Sequence, residues 1–222
     1  MMIRANLMDL YNEQAILDHF DTQSLLKKLL ESKEVHAQVK KVKRSQELIS
    51  EGESTDYVYY MTSGIASIKK GTNTFGFIGA GQFVGFDTLF LSESSTYTIR
   101  TRETCEVYVF DRLEVMEYLF SLQEGWIFFY LVEKEESQRL LKYQHFMRLK
   151  GVARLDAMLQ DLADTFGEEE EDAIVLPKCF SKQCVADYTN FSLNTLASLI
   201  KELRREGFLA PAIKDSFFCL SK

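Results

Sequence analysis

From Met8 to Lys33 the apolar residues Leu10, Leu17, Phe20, Leu25, Leu26, Leu29 and Leu30 fall at helical spacing, which predicts one or two short helices. From about Val39 to Phe110 the rhythm shortens to β-type runs: Tyr57–Met61, Ile65–Ile68, Phe75–Ile78, Tyr97–Arg100 and Val107–Phe110. Seven of the eleven glycines (52, 64, 71, 76, 79, 81 and 85) punctuate residues 52 to 85. Glycine at this density supplies the positive φ angles of repeated tight turns, so the stretch reads as a compact antiparallel barrel or roll. After Asp111 the pattern turns helical. Arg112 to Leu149 has no proline and no glycine except Gly125, enough for a short helix followed by a long one. The long helix begins apolar (Trp126 to Val132) and continues charged (Glu133, Lys134, Glu135, Glu136, Arg139). One small domain cannot cover such a helix all round. A partner helix is its natural cover, although no clean heptad runs through the charged centre; the alternative is a connector packed on its own barrel.

The last part of the chain predicts a helix (Val152 to Phe166), an acidic loop (Glu168 to Asp172), a strand-like Ala173–Leu176 and two further helices. Phe208-Leu209-Ala210 and Phe217–Leu220 then close it as a short hairpin. Within this part, Ser181 suits the N-cap of a helix from Lys182 to Tyr188. Asn190 tolerates the left-handed conformation of a tight turn. Ser192 caps the next helix, whose Leu196, Leu199, Ile200 and Leu203 share one face, while Leu193, Asn194, Ala197, Ser198 and Lys201 share the other. Short helix, tight turn and amphipathic helix is the helix-turn-helix plan, in which the second helix enters the major groove. An ordinary helical hairpin is the plainer alternative for that pattern taken alone.

Composition narrows the class. With 222 residues, 46% hydrophobic and 27% charged, the chain is globular and holds one large or two small domains. Its longest apolar run, Trp126 to Val132, is too short to span a bilayer, and no secretion signal is read at the N-terminus. Four cysteines (105, 179, 184 and 219) make no disulfide framework and fit a reducing cytoplasm. The net charge, 26 − 33 = −7, argues against indiscriminate coating of nucleic acid. Locally the balance reverses: between Lys178 and Gly207 five basic residues (178, 182, 201, 204, 205) face three acidic ones (187, 202, 206), a net of 5 − 3 = +2. Such residues can neutralise phosphates, with helix N-termini adding backbone donors.

The order of glycine-rich roll, long helix and C-terminal helix-turn-helix with a hairpin resembles the CRP/FNR family of bacterial transcription regulators over nearly the whole chain. Leu48–Glu53 and Tyr59–Gly64 resemble its first roll hairpins, and Gly79-Ala80-Gly81-Gln82-Phe83-Val84-Gly85 is similar to its G-x-F-x-G turn. Glu103–Val107 resembles the segment leaving the roll, and Val152-Ala153-Arg154-Leu155 the start of the DNA-binding domain. The resemblance implies an α+β fold. An N-terminal β-roll, cyclic-nucleotide-binding-like, would fill residues 1–112, with a linker and dimerisation helix over 113–147 and a winged helix-turn-helix over 148–222. It implies a homodimer on double-stranded DNA, with RNA polymerase as a further partner, Leu193, Asn194 and Ser198 reading bases, and Ser181, Ser192, Thr195 and Lys201 touching phosphates. The apolar surface of the long helix makes Ile127, Tyr130, Leu131 and Leu141 candidate seam residues. Family members often carry arginine and glutamate at the reading positions. Here Leu193 offers only apolar contact, as with a thymine methyl, and Asn194 suits adenine, so the operator should lean towards A·T.

The family's known signals fit poorly. Its cyclic-AMP branch neutralises the phosphate with an Arg-Ser pair; this chain has Phe86-Asp87 after Gly85 and Ser95-Thr96 where that pair would fall, with Arg139 and Leu140 at the nucleobase positions. Cyclic AMP binding is therefore not expected, and Phe75, Phe77, Phe83 and Phe86 are expected to fill the roll themselves. No cysteine precedes Cys105, which excludes an N-terminal iron–sulfur cluster, and His19, His36 and His145 supply neither a haem site nor a metal site in the roll. No cofactor or metal is expected, and the effector is unknown. No catalytic constellation stands out, so an enzyme is not expected. The alternatives are an interaction protein with a degenerate helix-turn-helix, or a regulator gated by an unidentified ligand or by oxidation of Cys179 and Cys184, for which buried structural thiols are the plainer reading.

Overall fold

A computed structural model describes residues 19–87, 93–210 and 218–221. The helical reading of residues 8–18 and the Phe217 end of the closing hairpin lie outside the described residues. By the density of its contacts the chain divides into two compact units. One joins the residues up to Ala66 to Ile78–Ser137, and the other joins Ser67–Phe77 to Gln138–Lys222. This cut differs from boundaries at residues 112 and 147, because both units share the long helix and the tip of one roll hairpin groups with the C-terminal residues.

The chain forms α1 (Thr22–Glu31), then β1 (Ala37–Val42), β2 (Glu47–Ile49), β3 (Tyr57–Ser63), β4 (Ala66–Lys70), β5 (Asn73–Ile78), β6 (Phe83–Val84), β7 (Thr98–Thr101) and β8 (Cys105–Asp111). The strands make two four-stranded sheets, β1-β8-β3-β6 and β2-β7-β4-β5. In the first, β8 is central and antiparallel to both neighbours, with Ala37 opposite Phe110 and Tyr60 opposite Tyr108. This is the expected roll. Its core packs Leu25 and Leu29 of α1 with Val58, Tyr60, Phe83, Phe86 and Phe110, and with Val115, Leu119 and Phe128 of the helices that follow. Those helices are α2 (Arg112–Ser121), capped by the Asp111 carboxylate accepting from the Leu113 and Glu114 amides, and α3 (Gly125–Arg148).

Two sequence expectations are corrected here. Phe83 and Phe86 do fill the roll, their rings 5.7 Å apart, but Phe77 does not. Side chains alternate along β5, so Phe77 and Ile78 take opposite faces, and Phe77 packs edge-on against Phe180 and Tyr188, both at 5.0 Å, and against Phe166 at 6.5 Å. Phe75, two residues away, is half-buried. On α3, Ile127 is only 3% exposed within the chain itself, which leaves it no free surface to line a seam; Leu131 is half-buried. The exposed apolar positions of α3 are Trp126 (60%), Tyr130 (55%), Leu140 and Leu141 (65%), which fall within one helical stripe.

The second unit continues with α4 (Gly151–Phe166), β9 (Glu168–Glu169), β10 (Ala173–Val175), α5 (Lys182–Thr189), α6 (Leu193–Arg205) and β11 (Cys219–Ser221). A small sheet runs β11-β10-β9, and Leu209 bridges Leu220, so the closing hairpin forms as expected across its described residues. Leu155, Met158, Leu159 and Leu162 give α4 a buried face beneath α5 and α6.

Two glycines separate backbone strain from crowding. Gly52 (φ +81°) and Gly64 (φ +87°) are both left-handed, but a Cβ at Gly52 meets open space, whereas at Gly64 it would lie 2.7 Å from Cys105 Sγ and 2.8 Å from the Thr104 carbonyl oxygen. Gly52→Ala should cost the strain alone, about 1–2 kcal/mol. Gly64→Ala should cost more by at least about 1 kcal/mol, since neighbouring backbone must shift. Urea unfolding of the two variants compares them directly; equal losses would contradict the crowding at Gly64.

Candidate nucleic-acid interface

The C-terminal helices are built from local signals in the order the sequence presents them. The Ser181 hydroxyl accepts from the Cys184 amide at 3.3 Å and starts α5. Asn190 ends it in the left-handed conformation (φ 54°, ψ 41°), and the Phe191 amide returns to the Ala186 carbonyl at 3.1 Å. Two residues later the Ser192 hydroxyl accepts from the Thr195 amide at 3.1 Å and starts α6. The left-handed residue lets the chain reverse within three positions, which fixes the short turn between the two helices.

Burial then sorts α6 into two faces. Leu196, Ile200 and Leu203 are buried, Leu199 is half-buried, and Leu193 (49% exposed), Asn194, Ala197, Ser198 and Lys201 are exposed. The candidate base readers Leu193, Asn194 and Ser198 therefore share one open face with Lys201. Among the candidate phosphate contacts, Ser192 and Thr195 lie exposed at the N-terminus of α6, their hydroxyls 2.8 Å apart, and Ser181 is half-buried at the N-terminus of α5. Arg204 and Arg205 in the last turn of α6 are exposed as well. Helix N-termini and cations on one surface can bind phosphate, and an exposed amide can bond two atoms of a base edge. Cys179 and Cys184 are both buried and not joined in a disulfide. One residue the sequence reading passed over, Arg154, joins this region: it donates to the Leu149, Met147 and Thr189 carbonyls and lies over the Phe191 ring. Its only sequence signal is its place at the start of the C-terminal domain.

The roll's inner site has the opposite character. Ser95 is buried, and its hydroxyl donates to an Asp87 carboxylate oxygen at 2.7 Å. The Tyr97 hydroxyl is hydrogen-bonded to Glu136; burial raises its pKa far above the ordinary tyrosine value, and the charges of Glu136, Asp87 and Glu133 add to this. Burial, with the Asp87 charge, raises the Glu133 carboxyl as well. On the neighbouring turn Gln82 accepts from the Gly79 amide at 2.9 Å and donates to Glu135 at 2.6 Å.

A β-roll followed by a long helix and a winged helix-turn-helix defines the class of the CRP/FNR regulators, and this chain has that fold. Residues 39–121 match the cyclic nucleotide-binding domain family. The chain is similar in structure to a cyclic nucleotide-binding domain containing protein from Listeria monocytogenes EGD-e (TM-score 0.71, 19% identity, covering 90% of this chain and 97% of that one). It is also similar to FixK2 from Bradyrhizobium japonicum (TM-score 0.71, 16% identity, 84% and 93% covered). A third similar structure is TTHA1359, a CRP/FNR-family transcriptional regulator from Thermus thermophilus (TM-score 0.63, 17% identity, 83% and 93% covered). No curated protein matches the chain in sequence.

The residues at the roll site do not fit a cyclic phosphate. From Phe86 to Ile99 the sequence contains no lysine or arginine. Ser95 is already bonded to a carboxylate, and Glu133 and Glu136 stand beside Tyr97. Bringing a phosphate next to these carboxylates would add like charge in a partly dry site. The same crowding sets a pH dependence. A carboxyl whose proton affinity is raised by folding stabilises the fold at low pH, and that contribution is lost as pH climbs through its folded-state value. Glu133→Gln mimics the protonated form, so thermal unfolding should show a gain at pH 7 that shrinks as pH falls towards 4. A gain independent of pH, or a loss at pH 7, would contradict the electrostatic account of Glu133.

Proposed function

We propose that this protein is a sequence-specific DNA-binding transcription regulator that acts as a homodimer on a near-palindromic, A·T-leaning operator. The observation that carries the reading is the split of α6, with Leu196, Ile200 and Leu203 buried and Leu193, Asn194, Ser198 and Lys201 exposed together after two well-made helix caps. Asn194 is the adenine reader, Leu193 packs on a thymine methyl, and Ser198 tolerates several bases. Ser181, Ser192, Thr195 and Lys201 hold the backbone phosphates. The exposed stripe of α3, with Trp126, Tyr130, Leu140 and Leu141, is the dimer seam. RNA polymerase is the downstream partner, and the site of action is the cytoplasm; no helix among the described residues is long and apolar enough to cross a membrane. The roll supplies no enzyme chemistry in this reading and holds no cyclic nucleotide.

Two substitutions on the open face should fail in different ways. Asn194→Ala should lose about 1–3 kcal/mol on the preferred site and relax the base preference at one position in each half-site. Lys201→Ala should weaken all DNA alike and lower the salt slope by about one counterion per protomer. Fluorescence anisotropy on labelled duplexes across a salt series measures both. If Asn194→Ala changes neither affinity nor preference, Asn194 is not a reader, and an interaction protein with a degenerate helix-turn-helix becomes the better account.

The seam has its own check. Leu141→Glu puts a charge in the proposed interface, where it must be desolvated. Light scattering should then show a dimer for the parent protein and a monomer for the variant at micromolar concentration. A monomeric parent would rule the dimer out.

A further inference from the structure

The Arg154 side chain ties the turn that launches the recognition helix to the end of the long helix. Arg154, in the first turn of α4, donates from Nε to the Leu149 carbonyl at 2.9 Å and from Nη2 to the Met147 carbonyl at 3.2 Å. From Nη1 it donates to the Thr189 carbonyl at 3.3 Å. The guanidinium carbon lies 5.0 Å from the centre of the Phe191 ring. Met147 and Leu149 lie at the C-terminal end of α3, and Thr189 is the last residue of α5. The final carbonyls of a helix have no partner within the helix and carry the negative end of its dipole. A guanidinium satisfies carbonyls of both helix ends at once, while its carbon lies over the ring of the residue between the left-handed Asn190 and the cap Ser192.

We infer that Arg154 is a positioning residue that fixes the recognition helix relative to the end of the dimer helix, and so sets the half-site spacing the dimer accepts. The inference rests on the DNA-reading homodimer proposed above. In a two-fold dimer the long helices set the frame, and the angle at which each recognition helix leaves that frame sets the distance between the two major-groove entries, about one helical turn of DNA. Chemistry explains why arginine serves here. Its donors are fixed in a plane and point in separate directions, and the same plane can stack on an aromatic ring. A lysine ammonium keeps the charge but cannot hold three carbonyls in that plane and cover Phe191 as well.

The test uses the full-length dimer and Arg154→Lys, with Phe191→Leu as a second variant that removes the ring and leaves the carbonyl bonds. Half-sites selected by the parent protein are presented as one isolated half-site, and as pairs whose separation is changed by one or two base pairs. The parent should lose about tenfold or more in affinity for each shifted pair, as expected when two rigid readers must match one groove period. Arg154→Lys should flatten that difference to about threefold while keeping isolated half-site affinity within about twofold, and Phe191→Leu should fall between. An unchanged spacing profile in Arg154→Lys would overturn the inference. So would a proportional loss on every duplex including the isolated half-site, which is the mark of a merely structural residue.

Should the parent select no DNA, the functional reading fails and the clamp is judged by hydrogen exchange alone. Amides at residues 147–151 and 189–192 should then lose protection together in Arg154→Lys, by about tenfold, while the buried core of α4 keeps its protection. Loosening of only one of the two segments would show a local helix cap and no clamp.

Discussion

The C-terminal unit depends on the burial of one face of one helix. Leu196, Ile200 and Leu203 seat α6, and burying three such side chains stabilises the seat by about 1.5–3 kcal/mol each. The caps at Ser181 and Ser192 contribute about 1 kcal/mol apiece. Burial therefore decides which way the helix faces, and the caps decide where it begins. With the apolar face committed, Leu193, Asn194, Ser198 and Lys201 are left outward together. No residue needs to be pushed into the open against its own preference except Leu193, and an exposed leucine beside an amide and a cation is what an apolar base contact would use.

The two units carry opposite electrostatics. The helix-turn-helix segment is basic within an acidic chain, whereas the inner site of the roll gathers Asp87, Glu133 and Glu136 around Tyr97. The family that matches residues 39–121 is described by cyclic nucleotide binding, but here the serine in the expected phosphate position is bonded to a carboxylate. Aromatic rings pack the roll core, with Phe83 and Phe86 inside it and Phe86 edge-on to Phe129 at 5.5 Å. The roll has the shape of that family while its inner site gathers negative charge.

Much of this was legible in the chain, and the misses have physical causes. Strand rhythm and glycine turns located the roll, because alternation and positive φ leave local marks. Ser181, Asn190 and Ser192 located the helix-turn-helix because capping is a local interaction. Phe77 was misplaced because alternation says that two neighbours take opposite faces, not what lies beyond each face. Ile127 was misplaced for a similar reason: a helix that is apolar over Trp126–Val132 offers several candidate faces, and only the position of the roll chooses among them. Arg154 left almost no trace. Its partners are backbone carbonyls up to 35 residues away, and carbonyls have no sequence signature.

The central claim is that the open face of α6 reads DNA, and selection from a random duplex pool tests it most directly. The purified protein is bound to the pool at moderate salt, and the retained duplexes are sequenced over successive rounds. The account predicts enrichment of a near-palindrome with A·T-rich half-sites about one helical turn apart. Recovery of a pool indistinguishable from the starting one, by protein that is folded and dimeric, would contradict it.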